Sequence, residues 1–221
     1  MVPAVQNRLD VKQLVLAPAI VSLVITILRL VGEMSHWSPS LFGRAAGGGG
    51  SLIGISWLVP VFGIYFAVKL VRQGQGPASS LKSIGLAVVG AAVAIAIIMP
   101  FALRGPLDPL AILTTTLGSV VGVALQRFAW PELFRTLLAY AFAARIPVAI
   151  VMLAAIIGDW GTHYDVAPDE SFPAMGALAK WFYIGAIYQF TFWIMFTVVI
   201  GTLFGGITAL VMRAPPRATT P

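Results

Sequence analysis

Six long apolar runs divide this chain, each close to the roughly 18 residues that can cross the hydrocarbon core of a bilayer. The runs are too long and too evenly apolar for barrel strands, in which apolar and polar residues alternate. They predict an all-α membrane protein with about six transmembrane helices in one bundle. The predicted spans are Leu14–Val31, Leu52–Val71, Ile84–Leu103, Leu110–Leu125, one span within Leu133–Ile157 and one within Leu178–Val211.

Composition leaves no room for a soluble domain of ordinary size. Of the 221 residues, 59% are hydrophobic and 10% are charged, whereas soluble domains carry about 25% charged residues. We therefore predict a single polytopic membrane domain over residues 1–213. Residues 214–221 include three prolines and are predicted to form a disordered cytoplasmic tail. The first apolar run is too long for a signal peptide and no clear A-x-A cleavage site follows it, so we expect it to be retained as a span.

The basic residues predict an orientation. With the N-terminus inside, nine lysines and arginines fall on the inner side and four on the outer side. Because positive charge favours the cytoplasmic side, we expect both termini in the cytoplasm and a multi-pass location in the inner cell membrane. This bias accounts for the net charge of +6, so we expect no nucleic-acid partner. The inner set is Arg8, Lys12, Lys69, Arg72, Lys82, Arg127, Arg135, Arg213 and Arg217, and the outer set is Arg29, Arg44, Arg104 and Lys180.

One further arginine, Arg145, lies inside the fifth predicted span. A charge at this depth costs several kcal/mol, so such residues usually face protein or water. Two interpretations are open: the guanidinium contacts an anion, or the long side chain reaches back to the inner headgroups. No predicted span contains Asp or Glu. We therefore predict that Arg145 points into the bundle toward polar groups such as Gln189 and Thr115.

Small residues and prolines predict how the helices pack and bend. A glycine lets two helix backbones approach closely, and four glycines are predicted to lie at helix–helix contacts. Pro60 and Pro147 are central in their predicted spans and should each kink a helix, whereas Pro18 is expected in a first turn. The predicted packing glycines are Gly118, Gly122, Gly201 and Gly205.

Polar side chains of the outer segments form a candidate outer-face cluster. Imidazoles and carboxylates can bind divalent metals, but the sequence contains neither H-x-x-x-H nor H-E-x-x-H, and we assign no metal site. Cysteine is absent, which excludes thiolate sites. Because no P-loop, G-x-S-x-G or dinucleotide fingerprint occurs, we assign no catalytic residue and no cofactor, and an enzyme is the least favoured interpretation. The cluster comprises Glu33, His36, Asp159, His163 and Asp165.

Two segments, RQGQGPASSLKS from Arg72 and RTLLAYAFAARIP from Arg135, resemble the Yip1-like group of small polytopic proteins. The resemblance implies a membrane-organising protein. The residues themselves leave three functions open. One is a structural or accessory subunit, in a homo-oligomer or a larger membrane complex. Another is a channel or carrier for a small solute or anion, with Arg145 in its pathway. The third is an enzyme that works at the outer surface. In each case the lipid bilayer is the expected partner.

Overall fold

The structure is a computed structural model that describes residues 10–212, so the predicted tail at residues 214–221 lies outside the described range. Every regular element within residues 10–212 is helical. Five helices are long and apolar enough to cross a membrane: α1 (Val11–Met34), α3 (Ser80–Ala102), α4 (Pro109–Gln126), α5 (Pro131–Gly158) and α6 (Ala177–Val211). The all-α class is therefore confirmed, together with five apolar helices of membrane-spanning length.

The remaining long helix, α2 (Leu58–Arg72), is shorter than the sequence predicts. Its 15 residues extend about 22 Å at 1.5 Å per residue. The predicted span began at Leu52, but residues 52–57 form turns rather than helix. Hydropathy cannot distinguish an apolar loop from an apolar helix, and this loop contains Gly54 and Ser56. Pro60 consequently falls in the first turn of α2, where proline is tolerated, and the predicted central kink is wrong.

The observed ends of α1 and α5 also determine where the other two prolines lie within their helices. α1 begins at Val11, so Pro18 lies inside the helix instead of in its first turn. Pro147 lies inside α5, as predicted. Proline has no N–H to donate, so it leaves the carbonyl of Ala143, four residues earlier, without its usual helical donor.

Helix α6 is irregular over its first half. A π-helical turn occupies Trp181–Ala186, and the helix is broken at Thr191, whose φ and ψ are −114° and −81°. The regular part, Phe192–Val211, packs against α2, α3, α4 and α5 and is the centre of the bundle. α1 lies on the outside of α5.

From Ser22 to Glu33, the buried face of α1 is polar and charged. Ser22, Thr26, Arg29 and Glu33 all lie on its buried face, at helical spacings of three and four. The Ser22 hydroxyl lies 2.8 Å from the Tyr140 hydroxyl of α5. The opposite face is exposed and apolar: Leu16, Ile20, Val24, Ile27 and Val31. This arrangement reverses that of a helix on a water-soluble protein.

Glycines lie where the helices approach most closely. A Cβ built on Gly63 of α2 would lie 2.7 Å from the Gly201 carbonyl oxygen of α6. On α4, a Cβ at Gly118 would lie 3.1 Å from the Ala94 carbonyl oxygen of α3. A Cβ at Gly122 would lie 3.1 Å from Met195. Added methyl groups at Gly201 and Gly205 would meet Leu137 and Leu133 of α5, respectively. The structure thus places all four predicted packing glycines at contacts within this chain.

We predict that Gly63→Ala destabilises the detergent-solubilised protein, because the new methyl group would overlap backbone that cannot move independently of its helix. The expected loss is about 1–3 kcal/mol, the usual range for overpacking. Gly85→Ala is the matched control, since none of the described atoms lies within 4 Å of a Cβ built there. Thermal unfolding of both variants tests the prediction, and equal melting temperatures would contradict it.

Candidate functional site

A large cavity, here called the Arg145 cavity, lies at the end of the bundle where α1 and α5 finish. Its volume is about 1090 Å³, at the upper end of the range for small-molecule sites. Residues of α1, α5 and α6 form its helical walls. The rest is formed by the loop residues 46–52 and 54–57, by Pro106 between α3 and α4, and by His163, Tyr164, Val166 and Pro168 of the segment between α5 and α6.

Arg145 lines this cavity and is 4% exposed. Its guanidinium carbon lies 4.6 Å from the centre of the Trp193 ring, a cation–π contact with α6. Among the described residues, Arg145 forms no salt bridge and its Nε has no hydrogen-bond partner. An arginine has five N–H donors, so most of the hydrogen-bonding capacity of this cation is unused by the protein.

Of the two predicted companions of Arg145, one lines the cavity and the other does not. Gln189 of α6 is buried in the cavity wall, and its Oε1 has no hydrogen-bond partner within the described chain. Its Nε2 lies 3.5 Å from the Met152 sulfur, a weak contact. Thr115 is buried on α4 and is not part of the cavity wall. The cavity therefore offers a buried cationic donor and a buried amide acceptor, both unused.

A second arginine in the wall, Arg29, is paired with a carboxylate and bonded to a loop. Its Nε donates to Glu33 Oε1 at 2.7 Å, one turn later on α1. Its Nη2 donates to the carbonyl oxygens of Gly43 and Gly48, at 3.3 and 3.1 Å. Arg29 thereby fixes the glycine-rich segment at residues 43–50 as part of the cavity wall. The i,i+4 spacing of Arg29 and Glu33 is the sequence signal for this pair.

Glu33 connects α1 to the segment between α5 and α6. Its Oε2 accepts the backbone N–H of His163 at 2.9 Å, and its Oε1 lies 2.5 Å from His163 Nδ1. The side chain of Glu33 is fully buried. The sequence placed Glu33 beyond the end of the first span, but α1 continues through Met34 and includes it. Burial of this carboxylate is compensated by Arg29 and His163, as a buried charge requires.

The structure brings together only part of the predicted outer-face cluster. Asp165 is buried and caps its own loop, accepting the backbone N–H groups of Gly161 and Thr162 at 2.9 and 2.7 Å. His36 and Asp159 are exposed and have positive φ angles of 54° and 49°. Between residues 10 and 212, no three His, Asp or Glu side chains converge as metal ligands.

The environment of His163 predicts a pH dependence of stability. Burial lowers the pKa of His163 below its ordinary value, and the hydrogen bond to Glu33 opposes this shift. Because the pKa in the folded state is below that in the unfolded state, the unfolded chain takes up the proton first as the pH falls. Neutral His163 therefore contributes fully to the free energy of unfolding above about pH 6.5, the ordinary pKa of histidine. This contribution decreases as the pH falls toward the lower pKa of the folded state.

We therefore expect the melting temperature to fall when the purified protein is taken from pH 7.5 to pH 5.5, a range in which ordinary carboxylates remain largely ionised. His163→Gln retains a side-chain donor for Glu33 but does not titrate, so its melting temperature should change less over this range. A His36→Gln variant, altered at the exposed histidine, should follow the wild type. An equal pH response of His163→Gln and wild type would contradict this assignment.

A second cavity, here called the Arg127 groove, lies on the other side of α6. Its volume is about 660 Å³, and its wall is formed by α4, the α4–α5 turn, α5 and α6. Gln189, Phe192 and Trp193 of α6 line the Arg145 cavity, whereas its Phe190, Thr191 and Ile194 line the groove. At 3.6 residues per turn these two sets lie on opposite faces of the helix. One helix therefore separates the two cavities.

Comparison with known proteins adds no relative: no family model, no curated protein and no solved structure matches this chain. The resemblance to the Yip1-like group thus remains limited to the two short segments that suggested it.

Proposed function

We propose that this chain is a multi-pass membrane protein that binds a small organic anion in the Arg145 cavity. The observation that carries the proposal is a deeply buried arginine, without an acidic partner among the described residues, in the wall of a large cavity. A charged residue within a membrane span is retained for a role, since burying it is unfavourable. A ligand anion would supply the acceptors that the protein does not.

The membrane location rests on the outer surface of the bundle. Large apolar side chains are exposed along α1, α3, α4 and α5, including Leu16, Val88, Leu117 and Ile150. The buried stripe of α1, by contrast, contains hydroxyl and charged groups. This pattern suits a lipid solvent, because the bundle interior is where polar groups find partners. We propose six spans, with α2 as a short span that the loop residues 52–57 extend toward the surface.

The cavity wall suggests the chemistry of the ligand. Around Arg145 it is mainly apolar and aromatic, with Met152, Phe192 and Trp193 among its residues. An anion with a hydrophobic or aromatic body would bury that body against this wall while its charge contacts the guanidinium. The free Gln189 Oε1 would in addition accept a hydrogen bond from a donor on the same ligand. Because the pocket is lined by loops at one end, entry from that side requires no helix to move.

Carriage of the anion across the membrane is the second candidate function. It is favoured by the position of the Arg127 groove, which lies beyond α6 from the Arg145 cavity. The structural or accessory role, alone or in a homo-oligomer or Yip1-like assembly, has less support. Small-residue faces would favour such a role if they met another chain, whereas Gly118, Gly122, Gly201 and Gly205 face neighbouring helices of the same chain.

The binding proposal predicts that phenyl phosphate raises the melting temperature of the detergent-solubilised protein more than uncharged benzyl alcohol does. Arg145→Met should weaken phenyl phosphate binding by about tenfold or more, as expected for loss of a charged hydrogen-bond donor. Arg72→Met removes one positive charge at the opposite end of the bundle and should bind like wild type. Equal stabilisation of Arg145→Met and wild type would refute the site, as would a wild-type preference for benzyl alcohol.

The orientation proposal, with both termini cytoplasmic, can be tested because the chain contains no cysteine. Single cysteines at Ala78, in the α2–α3 turn, and Ala174, before α6, are both at exposed positions. In intact cells a membrane-impermeant maleimide should label Ala174→Cys but not Ala78→Cys. Permeabilised cells provide the control, in which both should react. Labelling of both variants in intact cells, or of Ala78→Cys alone, would contradict the orientation.

A further inference from the structure

We propose that the Arg127 groove binds an anionic glycerophospholipid, with the phosphate at Arg127 and Arg135 and one acyl chain along the apolar wall. This site does not depend on the ligand of the Arg145 cavity, since α6 lies between them. It would make a specific lipid part of the folded protein.

The groove has an apolar side that faces outward. Phe128 and Phe142 are exposed at its edge, and Val120 of α4 is exposed beside them. Phe134, Leu138 and Phe190 continue the apolar wall between α5 and α6. Because these side chains lie on the outer surface of the bundle, a hydrocarbon chain can enter the groove sideways from the bilayer without crossing polar surface. A water-soluble ligand would have to leave water to reach the same wall.

One end of the groove is positively charged. Arg127 directly follows α4 and Arg135 lies near the start of α5, and both are exposed groove residues. Within the described chain neither forms a salt bridge, although Glu132 lies close to Arg135 in the sequence. The N-terminus of α5 opens here and has no side-chain cap, since its N-cap residue is Trp130. Glu132 in the first turn of α5 offsets the partial positive charge of this terminus, so the positive charge here is that of the two arginines. Two guanidinium groups beside a groove between helices suit a lipid phosphate.

A buried hydroxyl points to a ligand deeper in the groove. Ser119 of α4 lines it and is 2% exposed, and its Oγ has no hydrogen-bond partner in the described chain. Ser119 precedes Arg127 by two helical turns, about 12 Å along α4. The two arginines thus lie at one end of the groove, and the unpartnered hydroxyl lies deeper, within the apolar wall that an acyl chain would follow.

Native mass spectrometry of the full chain in detergent, with added dioleoyl phosphatidylglycerol or dioleoyl phosphatidylcholine, tests the site. Wild type should retain phosphatidylglycerol in preference to phosphatidylcholine. Arg127→Gln/Arg135→Gln should reduce phosphatidylglycerol occupancy by roughly thirtyfold, the scale of two arginine contacts at a membrane surface. Lys69→Gln/Arg72→Gln makes the same charge change at the end of α2 and should leave occupancy unchanged.

A groove-filling variant keeps the test independent of the arginines. Ala124 is an exposed residue of the groove wall, so Ala124→Trp should displace the lipid without disturbing the core. The proposal is overturned if phosphatidylglycerol occupancy survives in Ala124→Trp, or if the two charge variants lose it equally. It also fails if inorganic phosphate displaces phosphatidylglycerol from wild type, since the arginines would then bind phosphate without the lipid.

Discussion

The buried carboxylate of Glu33 holds together the end of the bundle where the Arg145 cavity lies. It accepts hydrogen bonds from Arg29 on its own helix and from the backbone of His163, 130 residues later in the chain. Arg29 in turn bonds the glycine-rich segment through Gly43 and Gly48. Neither segment has an apolar core of its own. Removal of the Glu33 charge would leave a buried guanidinium without its counter-ion and would break the contact of α1 with the His163 backbone.

The same reasoning about buried charge distinguishes the two arginines of the cavity wall. The charge of Arg29 is balanced by Glu33, and three acceptors in the loop take its Nη2 donor. Arg145 has only the face of Trp193 as a recorded partner among the described residues. A cation–π contact orients a guanidinium but takes up none of its in-plane donors. The unbalanced positive charge of the cavity therefore lies at Arg145, the polar residue that α5 contributes to the wall. An anion in the cavity would be attracted to this guanidinium.

Sequence analysis could predict the helices and only part of the site. Long apolar runs fix five helices, because a run of that length has few other structures available to it. The apolar residues 52–57 have the hydropathy of a span and were therefore predicted to be helical. Because α2 instead begins at Leu58, Pro60 lies in its first turn and not at its centre. The buried stripe of Ser22, Thr26, Arg29 and Glu33 could have been recognised from its helical spacing. The contact between Glu33 and His163 could not, because it depends on how α1 and α5 pack and not on any local pattern.

The irregular backbone of α6 lies between the two cavities. It contains a π-helical turn at Trp181–Ala186 and a break at Thr191. π-helical turns are rare and are frequently found at functional sites. The break lies between Gln189 and Phe192 on the Arg145 side, and Thr191 itself lines the Arg127 groove. A rotation of the backbone at this residue would move side chains on both faces together, since they belong to the same turn. The two cavities are thus separated by one distorted turn of helix, whose side chains contribute to both walls.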